Sequence, residues 1–277
     1  MIDAHQHFWI YNDHDYVWMD ETMAVLKQDH GPDRFMPLMD DTGVQGSIAV
    51  QARQMNRETD YLLDLASRHS WILGVVGWLD CTARDLAEQL ERLSANPALK
   101  GFRELIHDMP DTDYADSPVH RNAVKLLGTL DLSYDLLLKP PYIPAAIRLV
   151  DSLPDQRFIV DHIGKPAISS GEMEPWRRSM IELARRPNVY CKLSGMVTEA
   201  DWSAWKPADL KPYIEVCLEA FGARRLMIGS DWPVCTLAAT YQDVMHATLE
   251  SLAPLSESER AWITEDTCRE AYRIERN

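Results

Sequence analysis

Short, β-branched apolar runs recur along the chain, spaced widely enough for an amphipathic stretch between most neighbours. Ile48-Ala49-Val50, Gly74-Val75-Val76-Gly77 and Phe158-Ile159-Val160 are typical, and such continuous runs are the pattern of parallel strands buried on both faces. They predict strands over 2–7, 46–51, 72–79, 99–103, 133–138, 157–161, 189–193 and 226–229. Between them, Leu86, Leu90 and Leu93, and Tyr241, Val244, Met245, Thr248, Leu249 and Leu252, keep helical stripes. Pro140-Pro141 and Gly164-Lys165-Pro166 read as turns directly after strands. Eight strands alternating with helices predict an α/β fold, a single (β/α)8 TIM-type barrel spanning residues 1–277. A doubly wound sheet is the alternative, but no Gly-x-Gly-x-x-Gly follows any strand.

Composition narrows the partners. With 46% hydrophobic and 26% charged residues the chain is an ordinary globular one, and its net charge of −15 argues against nucleic acid or anionic membrane. An anionic small molecule stays open, because a pocket can be locally basic. No run approaches the ~20 apolar residues of a membrane helix, and the start lacks a leader pattern. The five cysteines (Cys81, Cys191, Cys217, Cys235, Cys268) form no Cys-x-x-Cys pair. A cytoplasmic protein with reduced thiols is expected, and a homo-oligomer is left open.

In a (β/α)8 barrel, chemistry gathers at the C-terminal ends of the strands. His5 and His7, with Asp3, alternate along the first strand and therefore share one face. The fourth strand ends in Arg103-Glu104, with His107 beyond. The fifth ends in Lys139, and the sixth in Asp161-His162-Ile163-Gly164-Lys165-Pro166. The seventh carries Lys192 and Ser194-Gly195, and the eighth ends in Gly229-Ser230-Asp231-Trp232-Pro233. Each has a plainer reading: a half-buried histidine, an N-cap aspartate, a rim ion pair, a solvated lysine or a packing tryptophan. It is their accumulation at strand ends that favours a catalytic rim. Cys235 lacks an adjacent base in the sequence and is not expected to be a nucleophile.

His5-Gln6-His7, Asp161-His162-Ile163-Gly164-Lys165-Pro166 and Gly229-Ser230-Asp231-Trp232-Pro233, in this order, resemble the amidohydrolase superfamily, and within it the amidohydrolase 2 branch of lactone hydrolases. The resemblance covers essentially the whole chain. It implies a barrel that hydrolyses lactones, such as sugar lactones or a pyrone dicarboxylate. By position, His5 and His7 match the family's strand-one pair, His162 its mid-barrel histidine and Asp231 its strand-eight general base. There is no second histidine pair, and Lys139 is the sole stand-in for a metal-bridging lysine. The expectation is therefore no metal or one divalent ion, zinc first, held by His5, His7 and Asp231.

The chemistry expected is hydrolysis of an aldonolactone, L-fuconolactone or L-rhamnonolactone being named first from the resemblance. Asp231, ionised at neutral pH, would take a proton from water. His162 or the single metal would stabilise the oxyanion. Arg103, His107, Lys139, Lys165 and Lys192 would donate to the small-molecule lactone, and Trp18 and Trp232 would stack on it. Several donors without a paired-arginine clamp favour a polyhydroxylated neutral lactone over a dicarboxylate. The rivals are a zinc-dependent decarboxylase of an aromatic or semialdehyde acid, and a non-catalytic binding protein on the same scaffold.

Overall fold

The computed structural model describes residues 1–276. Its eight strands are β1 (Ile2–Gln6), β2 (Gly46–Val50), β3 (Ile72–Gly77), β4 (Leu99–Glu104), β5 (Ser133–Leu136), β6 (Phe158–Val160), β7 (Val189–Leu193) and β8 (Leu226–Ile228). They pair in parallel in sequence order, as the pattern predicts. Most stop one or two residues before the end of the predicted span. Those residues, Gln51, Leu137, Asp161 and Gly229 among them, leave the ladder and begin the loops of the C-terminal rim.

The intervening helices are α1 (Pro32–Thr42), α2 (Asn56–Arg68), α3 (Leu86–Ser94), α4 (Pro118–Thr129), α5 (Ile143–Ser152), α6 (Trp176–Ala184), α7 (Met196–Glu199), α8 (Pro207–Phe221) and α9 (Tyr241–Leu252). Their apolar stripes turn inward, α3 burying Leu86, Leu90 and Leu93, as amphipathic packing on a sheet requires. Two short helices, α10 (Glu257–Ala261) and α11 (Thr267–Ala271), finish the chain. Cys268, Ala271 and Tyr272 pack with Ile2, Ile48, Val76, Ile159 and Met227. The carbonyls of Ala271 and Arg273 accept from Arg157 (3.0 Å) and Lys100 (3.4 Å), which stand at the beginnings of β6 and β4. The C-terminal segment thus plugs the N-terminal end of the barrel.

Closure between β8 and β1 falls at the strand ends. Asp231 N donates to His5 O at 2.8 Å and His7 N to Trp232 O at 2.7 Å. One step lower, Ser230 N donates to the Asp3 carboxylate at 2.9 Å, which also accepts from His5 N at 3.1 Å. Asp3 therefore stitches the seam and does not join the histidines above it. Residues 8–31 leave the barrel as an excursion with its own small core of Trp9, Tyr16, Met19 and Leu26. No helix among the described residues is long and apolar enough to cross a membrane.

Adjacent strands approach so closely at Gly101 that a Cβ there would stand 2.2 Å from Ser133 Oγ and 2.7 Å from its carbonyl oxygen. Gly101→Ala should therefore destabilise the barrel by about 1–3 kcal/mol. A fall in the urea midpoint checks this, and an unchanged midpoint would show that β4 and β5 part without cost.

Candidate active site

His5 and His7 emerge from β1 with their imidazoles 3.2 Å apart at Nε2. His7 Nδ1–H donates to the Val50 carbonyl at 2.8 Å. In the neutral ring that leaves the Nε2 lone pair facing Asp231 Oδ1, also at 3.2 Å. His5 is wholly buried below it. Its Nδ1 stands 3.2 Å from Asp161 Oδ1 and 3.1 Å from Lys192 Nζ, and its Nε2 stands 3.2 Å from Arg103 Nη1.

After β6 the backbone does something no periodicity announces. His162, Ile163, Gly164 and Lys165 all have positive φ (53°, 48°, 71° and 48°), which makes one left-handed turn. For L-residues this costs roughly 1–2 kcal/mol each, so the surroundings must hold it. Trp176 Nε1 donates to Ile163 O at 2.6 Å, and Lys165 N to His162 O at 2.8 Å. The turn directs His162 at Asp231, with Nε2 3.9 Å from Oδ1. Behind the ring, Nδ1 lies 2.9 Å from Ser194 Oγ. A Cβ on Gly195 would stand 2.4 Å from that same Nδ1. Asp231 is itself left-handed, at φ 60°. Such strain concentrates at functional sites.

Beneath the site lies a sealed ion lattice. Arg103 Nη1 donates to Asp161 Oδ2 at 2.9 Å, and Nη2 to Gln51 O at 2.5 Å. Lys192 Nζ lies 2.6 Å from Asp135 Oδ2 and 2.9 Å from Asp161 Oδ1, and the Tyr272 hydroxyl donates to Asp135 at 2.6 Å. Burial pushes the Asp135 carboxyl up to about 6 against the pull of Lys192. Burial acts the same way on Asp161, but Lys192, His5 and Arg103 outweigh it and hold that carboxyl well below its ordinary value. Burial drives the His5 and His162 imidazoles well below their usual value, so both are neutral near pH 7. Asp231 is pushed up by burial but pulled further down by His162, His7 and Lys165, so it stays ionised.

The cavity above measures about 360 Å³. Its floor is His7, Arg103, His162 and Asp231, and one wall is apolar, of Trp18, Met23, Ala52, Val234 and Leu237. The rest is largely polar, with His107, Asp108, Lys139, Lys165, Thr198 and Glu199 beside Trp202, Leu105 and Leu137. A larger open depression of about 960 Å³ around Lys100, Arg269 and Arg276 lies at the opposite end of the barrel. There Arg269 pairs with Glu265 at 2.7 Å and Arg276 with Asp266, and no strand-end residue reaches it.

Of the residues the sequence singles out, Trp18, Arg103, His107, Lys139 and Lys165 line the cavity. Two expected substrate contacts need correction. Lys192 has no exposure, because its ammonium is spent between Asp135 and Asp161 inside the barrel. Trp232 packs on Phe35 and His30, with ring centroids 5.0 and 5.3 Å away, and faces away from the cavity. Cys235 is wholly buried, with its thiol pushed well up. Thr198 and Glu199, which pairs with Lys165, escaped notice because they stand on the one-turn helix α7 after β7, with Trp202 just beyond it, where only Ser194-Gly195 gave a signal. Asp135 could have been found: it is a lone carboxylate in the apolar run Tyr134-Asp135-Leu136-Leu137.

The donor set suits one divalent ion. Ligand atoms of His5, His162 and Asp231 lie within 4.8 Å of one another, so His162 joins the expected set, and His7 Nε2 adjoins both His5 and Asp231. Unprotonated nitrogen facing a carboxylate oxygen is repulsive until a cation or proton stands between them.

A sequence profile of the amidohydrolase family matches residues 2–274. An L-fucono-1,5-lactonase of Burkholderia ambifaria is 40% identical over 245 residues, 87% of this chain and 83% of that one. The L-fucono-1,5-lactonase of Burkholderia multivorans is 39% identical over 285 residues, covering 99% and 96%. Among solved structures, a Burkholderia multivorans amidohydrolase with bound zinc superposes with a TM-score of 0.94 at 38% identity, covering 99% of both chains. The chain belongs to the amidohydrolase family.

Proposed function

We propose that the protein hydrolyses a sugar-derived lactone to the open-chain acid, with an L-fucono-1,5-lactone the first substrate to try. The observation that carries this reading is an ionised Asp231 on the cavity floor among three imidazoles, in a chain about 40% identical to L-fucono-1,5-lactonases. A lactone is an activated cyclic ester, so one base and one polarising group suffice.

Asp231 takes a proton from water as the water oxygen adds to the lactone carbonyl carbon. The ring C–O bond then breaks, and its oxygen leaves with the proton that Asp231 returns. Where the Ser194 hydroxyl donates to Nδ1, His162 carries its proton on Nε2 and can stabilise the oxyanion. Where Nδ1–H donates to Ser194 instead, the Nε2 lone pair can hold an ion. A divalent ion, held by His5, His162 and Asp231 with His7 adjoining, would supply Lewis acidity there. The cavity's unlike walls suit a sugar derivative: Lys139, Lys165 and His107 meet hydroxyls, while Trp18, Val234 and Leu237 cover a ring face or an alkyl end. The fit is to a small molecule. No feature here favours the decarboxylase.

A pH-indicator assay over a panel of aldonolactones, with a pyrone dicarboxylate and an aromatic acid as controls, tests the reading. Rapid turnover in one stereochemical series is expected. Carbon dioxide release with no lactone opening would replace the proposal with decarboxylation. Asp231→Asn should lower kcat by about 10²–10⁴, with the circular dichroism spectrum unchanged.

Because Asp231 titrates below the ordinary carboxylate range, kcat/KM under chelator should stay flat as pH falls from 8 to about 5. An acid limb centred near neutrality would assign the base to another group. Gly195→Ala should displace the His162 ring and cost roughly tenfold or more in kcat. Full activity in that variant would remove His162 from the mechanism.

A further inference from the structure

Arg103 Nη1 donates to Asp161 Oδ2 at 2.9 Å and stands 3.2 Å from His5 Nε2. Where Nε2 accepts from the guanidinium, that contact takes up the lone pair with which His5 would hold an ion beside Asp231 and His162. A neutral imidazole accepts at one nitrogen only. If Lys192 is the donor at Nδ1, Nε2 carries the ring proton and can hold neither the guanidinium nor an ion. If Nδ1–H donates to Asp161, Nε2 is free to accept, and the guanidinium already stands in front of it.

We infer that Arg103 and a divalent ion are alternative occupants of His5 Nε2, so that Arg103 is a built-in competitor of the metal. Zinc binds imidazole nitrogen at about 2.0–2.1 Å. On the line from Nε2 to Nη1, such an ion would stand roughly 1.1 Å from Nη1, where no two nuclei of this kind can be. Two like charges so close would also repel strongly. Ligation by His5 therefore requires the guanidinium to withdraw.

The arginine is placed to do so. Arg103 lines the cavity and is one wall of open space, and its Nε has no partner. The anchors it would surrender are Asp161 and the Gln51 carbonyl. Asp161 would keep Lys192 at 2.9 Å, so withdrawal does not leave that carboxylate alone in the interior. With Arg103 in place, the cation beside His5 and Asp231 is the guanidinium. With the ion in place, the guanidinium turns into the cavity and meets the substrate. The inference concerns ion binding and holds whichever ester is hydrolysed.

Competition of the purified full-length protein with a chromophoric chelator for zinc reads this directly. Arg103→Met should bind zinc on the order of tenfold or more tightly than wild type, since a competing charge is gone. Equal or weaker zinc binding by the folded variant would overturn the proposal. Should the variant fail to fold, a crystal structure of zinc-loaded wild type decides. Arg103 Nη1 should lie beyond hydrogen-bond reach of His5 Nε2, more than ~3.5 Å away. Zinc on His5 with that contact intact, or zinc bound without His5, would reject it.

Discussion

Four charged side chains buried in the middle of the barrel govern how its active rim is built. Removing a single ion from water costs several kcal/mol even after relaxation. Arg103, Lys192, Asp161 and Asp135 are tolerable there because they alternate in sign, and because Tyr272 and the Gln51 carbonyl take up part of the bonding capacity that is left. The lattice leaves one polar edge facing upward, and His5 sits on it. The protonation of the lowest histidine is thus decided largely by Asp161 and Lys192, which are buried away from the cavity.

Above the lattice, the same economy holds for strain. The left-handed turn at residues 162–165 and the left-handed Asp231 bring His162 and its carboxylate partner to one point. A right-handed path would carry these side chains elsewhere. The cost is met by buried anchors: Ile163 has no exposure, and Trp176 holds its carbonyl from α6. Packing outside the barrel therefore fixes geometry at its mouth.

Strands such as β2, β3 and β6 were legible because their residues form short apolar runs, as parallel strands buried on both faces require. The strand-end residues were legible for the complementary reason: polar groups such as His7, His162 and Asp231 directly follow apolar runs. Depth was not legible. Lys192 and Arg103 look alike in sequence, yet one is locked inside the lattice and the other lines the cavity. Nor was the direction of Trp232, whose ring the left-handed step at Asp231 turns toward Phe35. Glu199 ends the one-turn helix α7 and Trp202 follows it, a stretch too short for either period to show.

The seam between β8 and β1 has a consequence in time. A ribosome releases His5 and His7 well before Asp231, which bonds the His5 carbonyl and closes the barrel. At about 5–20 residues per second, the roughly 226 residues between them take on the order of 11–45 s to synthesise. Through that interval β1 has an unpaired edge and its two imidazoles lack Asp231. A nascent chain carries most of a barrel and none of its chemistry, and any truncation before β8 yields a scaffold left open at the point where it would act.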